Sequence, residues 1–250
     1  MVFTNTIQNF NEQAKLDAIK HCRSCLPNEG CGIFSNDKFI PFENKAENPK
    51  NEFIINDDEF DKLLMDDKIQ CIIHSHNEFP HASINDREQQ IALDIPFGII
   101  NFRKGTAEHF IFWGDGIEIE PLLKRPFFFG VFDCLKLAED YIFLKFQKKI
   151  EHQIVDINYW KKDQPVFEEN LKSDKYPGYQ IDINEAKEHD FYLYKMANSK
   201  FINHIGIIIE NNRVLHHFVN KVSCRLPASY YQQEIVAACR FDQNWEGYND

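Results

Sequence analysis

The sequence predicts an α+β protein built from two domains in series. Its 250 residues, 43% of them hydrophobic, suffice for two modest cores, since one domain usually takes roughly 100 to 200 residues. Short β-rich runs alternate with helical patterns in both halves of the chain. Glycines and prolines crowd into "GDGIEIEPLLKRPFFFG", and no periodic pattern crosses the stretch from Pro121 to Pro126. We therefore expect domains at 1–120 and 127–250, joined by a linker at 121–126.

The first half is predicted to begin with a helix over residues 5–25. Apolar residues recur there at helical spacing, at Ile7, Phe10, Ala14, Ala18, Cys22 and Cys25. Six β-rich segments follow, at "CGIF", "KFIPF", "NEFIIN", "IQCIIHSH", "FGIINF" and "EHFIFW". A helix pattern beginning at Ser83 precedes the last two, which indicates a compact α/β domain.

The second half is predicted to pack one helix on an antiparallel sheet. The helix starts after Asp133 and places apolar side chains on one face, at Leu135, Ala138, Ile142 and Phe146. A polar, irregular stretch follows from about 150 to 187. The end of the chain alternates as strands, at "FYLYKM", "INHIGIIIE", "NRVLHHFV" and "YYQQEIVAACRF".

Composition excludes several classes of partner. The formal net charge of -11 comes without a basic block, which argues against a nucleic-acid surface. No apolar run approaches the roughly 20 residues that span a bilayer, and we expect no signal peptide because "MVFTNTIQNFNEQ" lacks a basic segment followed by a hydrophobic core. Seven cysteines at irregular spacing indicate free thiols and synthesis in a reducing host cytoplasm. Cys22 and Cys25 lie on the apolar helix stripe, so we interpret them as core residues.

The segment "CIIHSHNEFPHASINDRE" carries a candidate metal site. Side chains alternate across a strand, so His74 and His76 project from the same face and can reach one ion. Asp86, in the first turn of the next helix, is the candidate third ligand for zinc, with water in the fourth position. Zinc lowers the pKa of such a bound water to about 7. The alternative is structural, because Ser83 and Asp86 also form a capping-box pattern.

These residues resemble the JAMM (MPN) metallopeptidases, whose pattern is Glu, His-x-His, a spacer, then Ser-x-x-Asp. The upstream glutamate is Glu29 in "PNEGCGIF". The resemblance implies an α/β sandwich domain in which His74, His76 and Asp86 bind zinc, Glu29 is the general base on the water, and Ser83 helps to stabilise the oxyanion. Six residues separate His76 from Ser83, where the family usually has seven.

The segment "FFFGVFDCLKLAEDYI" carries a candidate nucleophile. Cys134 lies in the first turn of a helix that Asp133 can cap, and a helix amino terminus together with an imidazolium lowers the pKa of a thiol. A buried cysteine that packs as a small hydrophobe is the alternative. His204 and His216 lie on neighbouring strands joined by "ENNR", so His204 can act as base and His216 can orient it. His217 points to the opposite face, and we expect it to be solvated.

This second set resembles the NlpC/P60 cysteine peptidases, which are papain-like. Their motifs are Asp-Cys at a helix start, His-Val-Gly-Ile on a strand, and a polar residue twelve positions after that histidine. Here they correspond to Asp133-Cys134, to "HIGI" beginning at His204, and to His216. The resemblance implies hydrolysis of peptide bonds in peptidoglycan stem peptides.

The two motif sets in series resemble the tail assembly protein K family of long-tailed phages. This resemblance implies a peptidase of the phage tail tip, found in the virion or in the host cytoplasm during assembly, with other tail-tip proteins as partners. Its substrate would be the peptidoglycan stem peptide or a tail protein. A structural tail-tip component with one or both sites inactive is the alternative. An isopeptidase acting on ubiquitin-like tails leaves the second domain unexplained.

Overall fold

The computed structural model describes residues 3–4, 10–77, 79–103, 106–114, 116–159, 162, 164–172 and 177–246. The chain forms two compact units, Met1–Ile119 and Glu120–Asp250. Each unit combines helices with a six-stranded sheet, so the predicted α+β class is confirmed. Across the described residues, every helix is too short or too polar to cross a bilayer.

Within its described residues, the first unit contains three helices and a mixed sheet. The helices are α1 (Glu12–Cys25), α2 (Asp58–Met65) and α3 (Ile84–Leu93). The strands are β1 (Phe3–Thr4), β2 (Cys31–Ser35), β3 (Lys38–Phe42), β4 (Cys71–Asn77), β5 (Phe97–Arg103) and β6 (Thr106–Trp113). Their order is β1-β6-β5-β4-β2-β3, with β1 parallel to β6 and β4 parallel to β5. The central position of β4 buries both of its faces.

Two of the elements predicted for the first unit differ in the structure. The first helix starts at Glu12 because the side chain of Asn11 accepts hydrogen bonds from the first-turn amides, and the predicted position Ile7 lies outside the described residues. The segment "NEFIIN" forms no strand. The Ile54 amide of this segment donates a hydrogen bond to Oδ1 of the Asn44 side chain, at 3.1 Å, rather than to the backbone of a neighbouring strand.

The core of the first unit lies between α1 and the central strands. Ala14, Ala18 and Cys22 form the buried face of α1 and pack with phenylalanines of the sheet. Phe34 and Phe112 are among these, and both are nearly fully buried. This packing fixes β4, the strand that carries the His-x-His motif.

The second unit packs helices on an antiparallel sheet. The helices are α4 (Cys134–Phe146) and α5 (Val166–Asn170). The strands are β7 (Gly178–Ile181), β8 (Phe191–Tyr194), β9 (His204–Ile209), β10 (Arg213–His216), β11 (Cys224–Pro227) and β12 (Ile235–Phe241). Their order is β11-β10-β9-β8-β12-β7. The stretch predicted to be irregular thus contains α5 and β7.

Helix α4 lies against the middle of this sheet. Leu137, Ala138 and Ile142 are buried with Ile207 of β9 and Leu215 of β10. The amphipathic pattern read from the sequence therefore corresponds to a real core contact. It brings the amino terminus of α4 close to the start of β9.

Hydrogen bonds of Arg125 hold the first residues of the second unit against this core. It is 1% exposed, and its Nη1 donates to Asp140 Oδ2 at 2.5 Å on α4. Its backbone amide donates to Ser223 Oγ at 2.9 Å, and Nε donates to the Pro121 carbonyl at 3.0 Å. Residues 121–126, predicted as a linker, are thus packed into the second unit.

Candidate functional site

The first cluster of candidate residues is built on β4. His74 and His76 project from one side of the strand, and both are buried. Ser75 projects from the other side, where its Oγ accepts a hydrogen bond from the Gly30 amide at 2.9 Å. That bond holds the segment beside Glu29 against β4. The alternation expected from the sequence is therefore present.

Four side chains converge at this point. The two Nε2 atoms of His74 and His76 are 3.0 Å apart. Asp86 places Oδ1 at 3.3 Å from His74 Nε2 and Oδ2 at 3.4 Å from His76 Nε2, while Glu29 Oε1 is 3.7 Å from His76 Nε2. Donor atoms about 2.1 Å from a tetrahedral zinc ion lie about 3.4 Å from one another. The spacing of this donor set fits zinc.

Asp86 takes part in a capping box as well as in this cluster. Its Oδ2 accepts from the Ser83 amide at 2.7 Å, and its own amide donates to Ser83 Oγ at 3.1 Å. The structural and the metal interpretations of Ser-x-x-Asp are thus compatible, because the cap fixes the carboxylate that faces the histidines. The oxyanion role of Ser83 stays a prediction.

Electrostatics at this cluster favour a cation. Burial raises the pKa of Glu29 to about 7, with His76 opposing the shift and Asp86 adding to it. Burial lowers the pKa of His76, but the Asp86 carboxylate outweighs it and leaves this pKa raised. The two histidines overcome the effect of burial on Asp86 and hold its pKa below its usual range. Glu29 can therefore exchange a proton near neutral pH.

Two neighbours position the cluster. The ring of Phe53 stacks on His74 with centroids 4.3 Å apart and 21° between the planes. Phe53 belongs to the segment "NEFIIN", so this segment serves as a wall of the site although it forms no strand. The Asn77 side chain donates to the Pro27 carbonyl at 2.8 Å, which ties the end of β4 to the loop that carries Glu29.

The second cluster begins at the amino terminus of α4. Asp133 caps the helix by accepting from the amides of Leu135 and Lys136, each at 3.0 Å. Its other oxygen accepts from the Gly130 amide at 2.9 Å. The carboxylate is thus directed onto amides, and Cys134 occupies the first helical position.

The environment of Cys134 differs from the prediction. Burial raises the pKa of its thiol to about 12, the charge of Asp133 adds to the shift, and the Ile205 backbone N–H partly offsets it. Desolvation therefore outweighs the helix amino terminus. In the part of the chain that the structure describes, no hydrogen bond joins this thiol to either His204 or His216.

His204 and His216 form a directly bonded pair. His204 Nε2 lies 3.0 Å from His216 Nδ1, and the two ring planes differ by 15°. Gly206 leaves the space for this arrangement, because a Cβ at Gly206 would lie 2.9 Å from His216 Nδ1 and 2.7 Å from Val214 Cγ1. The glycine of "HIGI" is therefore a requirement of the His216 ring position.

Both imidazoles of this pair are held neutral. Burial lowers the pKa of His216 to about 4, and burial together with His216 and His217 lowers the pKa of His204 well below its usual value. The prediction for His217 is wrong: it is 1% exposed rather than solvated. It packs edge-on against Phe127, with ring centroids 5.5 Å apart, because the loop after β10 folds over the amino terminus of α4.

Comparison with known proteins gives a match for the second unit. Residues 124–240 match the model described as the NlpC/P60 family. This match supports a cysteine peptidase, a hydrolase, and the bonded pair of His204 and His216 lies within the matched residues.

The whole chain is also similar to a phage protein. It is 27% identical over 240 residues to "Tail tip assembly protein K" of Escherichia phage N15, covering 92% of this chain and 95% of that protein. Two solved structures have local likeness. Protein DSY2949 from Desulfitobacterium hafniense has 23% identity and a TM-score of 0.28, covering 36% of this chain and 72% of that one. A lipoprotein-like NLP/P60 family protein from Staphylococcus aureus has 20% identity and a TM-score of 0.31, covering 51% of this chain and 38% of that one.

Sequence reasoning missed two contributors to the site around His204 and His216. Gly206 was part of a quoted motif but was given no role. Tyr194 lies opposite His204 in the register of β8 and β9 and is 1% exposed, with its ring 5.5 Å from that of His204. Alternation along "FYLYKM" is the signal that could have placed Tyr194 on the histidine face.

Proposed function

We propose that the NlpC/P60 domain is a thiol peptidase that hydrolyses peptide bonds in peptidoglycan stem peptides. Cys134 is its nucleophile, His204 its base and His216 the residue that orients the base. One observation carries this proposal: His204 uses Nε2 toward His216, at 3.0 Å, which leaves Nδ1 to receive the proton of Cys134.

Catalysis starts from a neutral thiol and a neutral imidazole. When the substrate carbonyl is in place, Cys134 Sγ bonds to the carbonyl carbon while its proton passes to His204 Nδ1. His216 accepts the hydrogen bond from the imidazolium. The proton then goes to the leaving amine, whose bond to carbon breaks and leaves a thioester. Water, deprotonated by His204, hydrolyses that thioester and restores the thiol.

For the first unit we propose a zinc-dependent JAMM peptidase. His74, His76 and Asp86 would hold the ion, and their donor spacing supports this assignment. A bound zinc ion supplies Lewis acidity, which lowers the pKa of a coordinated water to about 7. Burial raises the pKa of Glu29 to about 7. Its carboxylate takes a proton from water and passes it to the leaving amine. Ser83 assists at the oxyanion.

The proposed setting is the tip of a phage tail. The relative from phage N15 is named as a tail tip assembly protein, and it aligns with 92% of this chain. We infer that other tail-tip proteins are the partners, that the protein resides in the virion or in the host cytoplasm during assembly, and that it opens the cell wall.

A second candidate function is a structural tail-tip component, or a processing protease for tail proteins, with one or both sites inactive on peptidoglycan. One observation favours it: Cys134 forms no hydrogen bond to His204 or His216 within the described residues, and burial raises the pKa of its thiol to about 12.

Mass spectrometry of fragments released from purified peptidoglycan tests these alternatives. The wild-type protein, Cys134→Ala and His74→Ala would be compared at equal concentration. Stem-peptide fragments from the wild type and His74→Ala, but not from Cys134→Ala, would support the thiol peptidase. If none of the three folded proteins releases fragments, the structural role is favoured.

A further inference from the structure

The ring of Phe218 lies over the hydrogen bond between His204 and His216. Its centroid is 4.6 Å from that of His204 and 4.7 Å from that of His216, with 20° between the planes in both cases. Since the two histidine rings are nearly coplanar, these equal distances place Phe218 above their shared bond rather than above either ring alone.

Strand register explains the positions of the two histidines. Pairing of Ile207 with Leu215 sets the register of β9 and β10, and one further step within both strands places His216 opposite Gly206. His204 and His216 therefore lie on one face of the sheet, and the missing side chain of Gly206 gives the His216 ring its space. Phe218 lies two residues beyond the end of β10, where its ring stacks on both histidine rings.

Other aromatic rings complete the enclosure. Tyr194 lies at 5.5 Å from His204 and 5.4 Å from His216, again at nearly equal distances. It is buried, whereas Phe218 is half-buried. Tyr231 supports the Phe218 ring at 5.1 Å with 57° between the planes. The hydrogen bond of the histidine pair is thus bordered by aromatic carbon, and both imidazoles are buried.

We propose that Phe218 is a positioning residue of the thiol peptidase, which excludes water from the His204–His216 hydrogen bond and keeps both rings in one plane. This inference rests on the proposed function of Cys134 and His204. Water competing for Nε2 would weaken the bond and let the His204 ring turn away from the thiol. The aromatic face also stabilises the imidazolium that forms when His204 accepts the proton.

Alkylation of Cys134 by iodoacetamide tests this role without any peptide substrate. Its rate would be followed by peptide mass spectrometry from pH 5 to pH 10 in the full-length wild type, Phe218→Leu, Phe218→Tyr and His204→Ala. Val219→Ala is the matched control, because Val219 is the next residue, is 68% exposed and has no ring. Circular dichroism verifies folding, and Phe218→Met replaces the leucine variant if that protein does not fold.

We expect Phe218→Leu to lower the rate at pH 7 by about tenfold and to move the rise of its profile to higher pH, because misplacement of a reacting group by a fraction of an ångström slows it strongly. Phe218→Tyr should restore the wild-type profile, and Val219→Ala should match the wild type. A profile of Phe218→Leu equal to the wild type at every pH would overturn the inference. So would a tyrosine variant as slow as the leucine variant.

The His204→Ala profile separates the two levels of the argument. If the wild type and His204→Ala are alkylated at equal rates, His204 does not act on Cys134, and the proposed thiol peptidase fails together with the inference. If alkylation depends on His204 but not on the ring at position 218, the peptidase stands and only the role of Phe218 is rejected.

Discussion

Each unit of the protein buries a pair of imidazoles with nitrogens 3.0 Å apart, and the two pairs differ in their electrostatics. In the first unit the Nε2 atoms of His74 and His76 face the Asp86 carboxylate, which raises the pKa of His76 against the effect of burial, whereas burial still lowers the pKa of His74. In the second unit His204 and His216 are bordered by aromatic rings, and burial lowers both pKa values. Neighbouring groups, rather than the histidine contact itself, therefore decide which charge state each imidazole favours.

Metal content gives the largest expected difference between the two pairs. Full-length protein expressed with zinc should carry about one ion per chain, because only the first pair has carboxylate partners at ligand spacing. His74→Ala should lose essentially all of it, whereas His204→Ala should keep it. Inductively coupled plasma mass spectrometry measures both. An equal loss of zinc from the two variants would contradict the expected difference between the two histidine pairs.

Peptidase activity on peptidoglycan should show the reverse dependence. His204→Ala should lower it by about 1,000-fold, since general base catalysis contributes roughly 10²–10⁴-fold. His74→Ala should leave it within a factor of two of the wild type, because His74 has no role in the proposed thiol mechanism. Release of stem-peptide fragments over time provides the rates. An equal loss in both variants would show that one site, not two, carries the chemistry.

The space at Gly206 offers a finer test of the second pair. Gly206→Ala places a Cβ 2.9 Å from His216 Nδ1, so the ring must move, and we expect a loss of about 100-fold in kcat/KM. Gly178→Ala is the matched control on β7, where the nearest atom to a new Cβ is 3.3 Å away. Kinetics and thermal unfolding of both variants provide the comparison. Equal activities would mean that the position of His216 is not critical.

Acid sensitivity is the smallest expected effect. Burial lowers the pKa of His217 to about 4, below its unfolded value, so the unfolded chain binds the proton first as the pH falls below 6.5. Protonation of His217 in the unfolded chain should therefore lower the free energy of unfolding by about 2 kcal/mol at pH 5 relative to pH 8.

Urea unfolding of the wild type and His217→Gln at both pH values measures this contribution. The variant cannot take up that proton, so its free energy of unfolding should fall less between pH 8 and pH 5. An equal decrease in the free energy of unfolding for the two proteins would show that His217 is already solvated or protonated in the folded state.

Local patterns predicted most of the framework of both sites. Alternation placed His74 and His76 on one face, and the residue types at 83 and 86 predicted the capping box that the structure contains. The amphipathic spacing after Asp133 predicted α4. These features depend on neighbours within one turn or one strand, which a sequence displays directly.

Features that depend on long-range packing were not predictable in this way. Helix α2 is short and buries one large residue, Phe60, so its periodicity is weak. His217 was expected in solvent because alternation says which face a residue occupies, not what covers that face. The raised pKa of Cys134 likewise comes from burial by residues distant in sequence.

The buried guanidinium of Arg125 has a consequence for how such genes can be recombined. A segment starting at residue 127 would remove the guanidinium from Asp140, which would keep its ion pair with Lys136, and would remove the amide that donates to Ser223 Oγ. Removing one member of a buried ion-pair network destabilises a domain. A gene segment that transfers the second unit alone must therefore begin at or before Glu120.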